Sequence, residues 1–147
     1  MLVAQGRKEE VVTTAREIMH PGVQCVDEDA NLVEAARMMR DLDVGSLPIC
    51  GKDDRLHGII TDRDIVIRAV AAGLDLAATR VGEFGCHVHW VNASDSLAQV
   101  LRTMEDNQIR RVPVIDEHRL VGMVSEADLA RHLPEHELAS FVERVYA

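Results

Sequence analysis

The sequence predicts an α/β fold of the α+β kind. One β-α-β-β-α unit is built twice, and the two units pack through their sheets about a pseudo-twofold axis. Three observations carry this. Leu47-Pro48-Ile49-Cys50, a polar turn over 51–55 and Gly58-Ile59-Ile60-Thr61-Asp62-Arg63-Asp64 read as strand, turn, strand and the first turn of a helix. Val112-Pro113-Val114-Ile115, a turn through Asp116 to Arg119, and Gly122-Met123-Val124-Ser125-Glu126-Ala127-Asp128 repeat it at a spacing of about 64 residues. A capped, amphipathic helix pattern precedes each copy.

In chain order, 1–13 is a polar leader. Thr14-Ala15-Arg16-Glu17 has capping-box spacing and opens a short helix to Met19, which His20-Pro21-Gly22 ends. Val23 to Val26 reads as a strand. Asn31-Leu32-Val33-Glu34 opens a helix with Leu32, Ala35, Ala36, Met39 and Leu42 on one face. A helix from Asp62 to about Ala72 follows the hairpin, and Gly73 stops it. In the second copy Val88 to Val91 takes the place of the first strand. Ser96 and Gln99 stand for Asn31 and Glu34, and Leu97, Val100, Leu101 and Met104 repeat the stripe. After Asp128 the helix runs to His132 or Leu133.

The repeats therefore span 14–73 and 74–133. The tail, 134–147, opens at Pro134 and carries Leu138, Phe141, Val142 and Val145 on one helical face. It either covers the core or docks on a partner. Within a unit the first two strands are joined by a helical crossover and should be parallel; the second and third form an antiparallel hairpin. Three strands with two helices on one face leave the other face bare. Two such sheets would cover each other and leave clefts between them.

Composition narrows the function. The apolar content of 47% suits a packed domain, and with only 3% aromatics the core is aliphatic. A net charge of −9 excludes a general nucleic-acid binder, which needs a basic stripe to displace counterions. No apolar run approaches the roughly 18 residues of a membrane span, and Met1 to Glu10 lacks a signal-peptide segment. The expected location is cytoplasmic. No Gly-x-Ser-x-Gly elbow, Walker loop, His-Glu-x-x-His or Cys-x-x-Cys is present, so the chain reads as a non-enzyme.

The doubled x-Pro-hydrophobic strand, hairpin and Gly-hydrophobic-hydrophobic-Thr/Ser-x-x-Asp pattern resembles the CBS domain, whose tandem pair is called a Bateman module. The resemblance runs from about Thr14 to Leu133. Leu56-His57-Gly58, Thr61 to Ile67 and Arg131 to His136 are similar to the stand-alone CBS pairs of the mycobacterial hypoxic response. That narrower likeness implies a small homodimer linked to stress or low oxygen, and one that is secreted in some cases.

The resemblance implies adenosyl ligands such as AMP or ATP in the clefts. Where a strand enters a helix, the first N–H groups are unpaired and favour an anion. Thr61 and Ser125 would donate to phosphate or ribose, and Asp64 and Asp128 would accept from ribose hydroxyls. Leu47, Pro48 and Ile60 would offer an apolar slot in one copy, and Val112, Pro113 and Val124 in the other. Arg110 and Arg111 suit phosphate oxygens, as does Arg63. The same Thr/Ser-x-x-Asp motifs are equally ordinary helix caps. A ligand-free interaction dimer is the alternative.

Cysteine and histidine leave a metal- or redox-responsive alternative. Cys25 and Cys50 lie on strands expected to be neighbours, where they would bridge, share a metal or remain free thiols. The narrower likeness implies the disulfide. Cys86-His87-x-His89 gathers three potential zinc ligands, with His20, His57 or a partner chain completing the set; otherwise these are polar residues at a strand edge.

Overall fold

The computed structural model describes residues 13–85 and 88–147. The first half contains α1 (Ala15–Ile18), β1 (His20–Pro21), β2 (Val26–Asp27), α2 (Leu32–Leu42), β3 (Ser46–Cys50) and β4 (Leu56–Thr61). Helix α3 (Asp62–Asp64) then runs into a π-helical stretch, Ile65–Val70. A 3₁₀ turn (Val81–Phe84) leads to β5 (Val91–Asn92), α4 (Leu97–Asp106), β6 (Arg111–Asp116), β7 (Arg119–Ser125), α5 (Glu126–His132) and α6 (Glu135–Val145).

The repeat appears as two sheets. β2 is parallel to β3, and β3 is antiparallel to β4; β5, β6 and β7 repeat that order. Helices α2 and α4 both start with the capping box read from the sequence. Asn31 Oδ1 accepts from Glu34 N at 2.9 Å, and Ser96 Oγ accepts from Gln99 N at 3.2 Å. The inner faces of α2 and α4 bury Leu32, Ala35 and Met39 in one copy, and Val100 and Met104 in the other.

Three expectations are corrected. The first strands are shorter than Val23–Val26 and Val88–Val91, because only Val26–Asp27 and Val91–Asn92 reach the neighbouring strand. The second sheet has four strands rather than three: β1 adds to its edge, antiparallel to β7, with His20 opposite Met123 and Pro21 opposite Gly122. Thr14 makes no side-chain cap to α1. Instead the N–H groups of Ala15 and Arg16 donate to the carbonyls of Asp95 and Ala93, at 2.8 and 3.0 Å. The other repeat supplies the cap.

These last two corrections share one cause, an exchange between halves. The segment that leads the first repeat packs on the second core, where Ala15 and Ile18 join Val100, Met104, Val112 and Val124. The segment that leads the second repeat packs on the first core, where Val81 and Phe84 join Leu32, Leu47 and Ile60. The matching bridges are Thr14 to Ser96 and Asn31 to Arg80. Each hairpin admits the visiting segment at an equivalent glycine. A Cβ on Gly58 would stand 2.7 Å from Gly85 Cα, and one on Gly122 would stand 2.8 Å from the His20 carbonyl oxygen.

The tail helix covers the core. Phe141 and Val145 are buried in the second cluster, and Arg144 Nη1 donates to Glu105 Oε2 on α4 at 3.1 Å. Cys25 and Cys50 form a disulfide with Cα atoms 5.6 Å apart, tying the approach to β2 to the end of β3.

Candidate functional site

The two sheets leave two clefts related by the pseudo-twofold. Each sets the helix start of one repeat against the strand entry of the other. The first, of about 420 Å³, is lined by Thr61, Asp62 and Arg63 on one side and by Gln108, Arg110 and Arg111 on the other. The second, of about 380 Å³, has Ser125, Asp128 and Arg131 facing Gly45, Ser46 and Pro48. Arg111 lines both clefts.

Both hydroxyl-x-x-Asp motifs are complete capping boxes. Thr61 Oγ1 accepts from Asp64 N at 3.0 Å, and Asp64 Oδ2 accepts from Thr61 N at 2.9 Å. In the second copy Asp128 Oδ2 accepts from Ser125 N and Ser125 Oγ, both at 2.9 Å. The remaining carboxylate oxygens face arginine. Arg131 Nη1 stands 3.2 Å from Asp128 Oδ1, and Arg68 Nη1 3.6 Å from Asp64 Oδ1. The aspartates expected to wait for ribose are thus engaged by their own helices. In the first cleft Asp62, two residues earlier, is the carboxylate on the wall.

Of the residues expected to form the apolar slots, Pro48 lines the second cleft, whereas Leu47, Ile60, Val112 and Val124 turn the other way. Leu47 and Ile60 are buried in the first helix-side core, and Val112 and Val124 in the second. Strand alternation explains this: a residue that packs under the helices cannot face the opposite sheet. Their neighbours face the clefts instead, with Ile59 lining the first and Pro48 and Met123 the second. Pro113, buried, pairs with Met123. The sequence reading missed Ile59, Asp62, Gln108 and Met123, although the period-2 signal pointed to Ile59 and Met123.

The cations differ in their engagement. Arg110 lies over the Tyr146 ring, 5.1 Å from its centroid, and Nη1 donates to the Tyr146 hydroxyl at 3.2 Å. Among the described residues the side chains of Arg63 and Arg111 have no hydrogen-bond or ion-pair partner. His89 is exposed on the wall of the first cleft, and His20 lines the second. Cys86 and His87 lie outside the described residues. His57 Nδ1 is 2.7 Å from Glu28 Oε2. Among the described residues no group of three His, Cys, Asp or Glu is gathered to hold a metal.

A doubled unit with paired clefts is the arrangement of a known domain family. The CBS domain model matches residues 15–70 and 81–135. The chain belongs to the CBS-domain family. As a CBS pair it is 56% identical over 135 residues to hypoxic response protein 1 of Mycobacterium tuberculosis, covering 91% of this chain and 94% of that one. It is 33% identical over 129 residues to the CBS domain-containing protein YhcV of Bacillus subtilis, covering 87% and 91%. Among solved structures, Hypoxic Response Protein I with two coordinated zinc ions superposes with a TM-score of 0.78 at 58% identity, over 83% of this chain and all of that one.

Proposed function

We propose that this CBS pair is a non-catalytic regulatory homodimer that takes an adenine nucleotide of the AMP or ATP type in its first cleft. One observation carries the reading. Arg63 and the start of α3 from one repeat converge with Arg110 and Arg111 from the other on a single cavity of about 420 Å³. That volume falls within the range of small-molecule pockets. Guanidinium groups match phosphate oxygens, and the Asp62 carboxylate would accept from ribose hydroxyls. A ligand held by both repeats favours one angle between them over others, which is how binding becomes a signal. The likeness to hypoxic response proteins supports a role under low oxygen.

The homodimer rests on a second surface. Val66, Ile67 and Val70 are each more than half exposed on one side of the π-helical stretch, with Leu74 just beyond. The equivalent positions of the second repeat are Ala130, Arg131 and Pro134, so this apolar face exists once per chain. A contiguous patch of this kind marks a contact surface.

Thermal unfolding with AMP and ATP tests the nucleotide reading. Ligand at a hundred times its Kd should add about 2.7 kcal/mol of stability, and Arg110→Ala with Arg111→Ala should remove the gain. An unchanged midpoint with every adenine nucleotide would overturn it.

A zinc reading is favoured by the relative that holds two zinc ions. The described residues do not complete such a site. A cavity of about 660 Å³ does set His57 and His118 beside Gly85 and Val88, the residues that flank Cys86 and His87. Zinc there would need those two residues. Metal analysis of the wild type and of Cys86→Ser with His87→Ala decides it: zinc present in the first and lost in the second supports the site.

A further inference from the structure

Residues 146–147 hold one cleft and, among the described residues, have no counterpart at the other. Gln108 and Arg110 both line the first cleft. Besides the ring contact and hydrogen bond between Arg110 and Tyr146, Gln108 Nε2 donates to the Ala147 carbonyl at 3.1 Å. The Tyr146 hydroxyl in turn donates to Glu126 Oε2, at the start of α5, at 3.4 Å. Tyr146 is 55% exposed, so polar contacts and ring stacking hold it rather than burial. In the first repeat the places of Gln108 and Arg110 are taken by Asp43 and Gly45. The equivalence is visible in the backbone: the Gly45 carbonyl accepts from Asp62 N, and the Arg110 carbonyl from Glu126 N. Glycine offers a C-terminal segment nothing to hold at the second cleft.

We propose that Tyr146 is a latch on the first cleft, and that an anionic ligand competes with it for Arg110. The inference rests on the reading of that cleft as a nucleotide site. To bring Nη1 to a phosphate, Arg110 must give up its hydrogen bond to the Tyr146 hydroxyl and leave the position in which the ring contact holds it. Phosphate binding therefore frees Tyr146 and Ala147, and freeing them strengthens phosphate binding; linkage makes the two effects equal. The latched state is incompletely satisfied. Glu126 Oε1 is buried with no hydrogen-bond partner among the described residues, beside the Oε2 that accepts from the Tyr146 hydroxyl. The two clefts are thereby unequal, and occupancy of the first is reported at the end of α6.

Tyr146 is the chain's one tyrosine, so protein made with fluorotyrosine gives a single fluorine resonance that reports the latch. AMP is titrated calorimetrically into wild type, Tyr146→Ala, Tyr146→Phe and Arg110→Ala. Tyr146→Ala should bind about three- to tenfold more tightly than wild type, the range that one exposed ring contact and one hydrogen bond allow. Tyr146→Phe should fall between them, and Arg110→Ala should bind more weakly than wild type. The fluorine resonance should move and sharpen as AMP saturates the protein. Equal AMP affinity in wild type and Tyr146→Ala, with the resonance unmoved, would overturn the latch and leave the nucleotide reading standing. Weaker binding by Tyr146→Ala would also overturn it, because Tyr146 would then be holding Arg110 ready for the ligand. Absence of AMP binding in all four proteins would remove the nucleotide reading, and the latch with it.

Discussion

Asp64 and Asp128 hold the same place in the two repeats but different environments. The Asp128 side chain is 5% exposed and meets Ser125 twice and Arg131 once. The Asp64 side chain is 26% exposed and meets Thr61 and Arg68. Removing a buried cap strands donors that water cannot reach, whereas at an exposed cap water substitutes. Without any nucleotide, Asp128→Ala should cost about 2 kcal/mol and Asp64→Ala about 1 kcal/mol. Urea unfolding of the two variants measures the difference, and equal losses would show that burial does not set it. The motif was legible in the sequence as cap and candidate site alike. Strand alternation could also have turned Leu47 and Ile60 away from the cleft. The hold of Tyr146 on Arg110 could not be read, because the two residues are 36 apart and meet only once α6 has docked.

At the level of elements, β1 and the end of α1 explain why the second hairpin carries glycine, as Gly85 does for the first. β7 accepts β1 along His20 and Pro21, and Gly122 lies under that crossing, with Met19 Sδ only 2.5 Å from where a Cβ would stand. A methyl group there must push β1 off the sheet edge. Gly122→Ala should therefore cost about 2 kcal/mol, within the usual range for overpacking. Hydrogen exchange should quicken at 20–21 first, while the hairpin of β3 and β4 keeps its protection. Uniform loosening of both sheets would contradict this account. The sequence showed these glycines only as part of a repeated motif. What approaches them comes from the other repeat, and no local pattern records that.

The whole molecule is two cores, each finished by a piece of the opposite repeat. Neither repeat is a complete packing unit alone, since Ala15 and Ile18 serve one core while Val81 and Phe84 serve the other. The tail adds a second departure from symmetry. With Phe141 1% exposed, a polar residue there should unfold the second core rather than split a dimer. The surface proposed above for a second copy is the π-helical stretch. Val66→Glu with Val70→Glu should turn a dimer into a folded monomer, because a charge on each copy makes a self-complementary contact repel itself. Light scattering after gel filtration measures the mass. A wild type that is monomeric at every concentration, or a double variant that remains dimeric, would remove this surface from the interface.

The sequence by itself determined the repeat, the order of its elements, the caps that start α2 and α4, and the two helix starts that face the clefts. Each of these depends on residues a few positions apart, where periodicity and capping chemistry act directly. Only the tertiary structure decided which half each leading segment completes, which face of each strand is left to the clefts, and which arginine the C-terminal segment holds. Those outcomes depend on contacts between distant parts of the chain. They exist only after the two sheets have packed and α6 has docked: burial shared between repeats selects the first two, and polar contact with ring stacking selects the third.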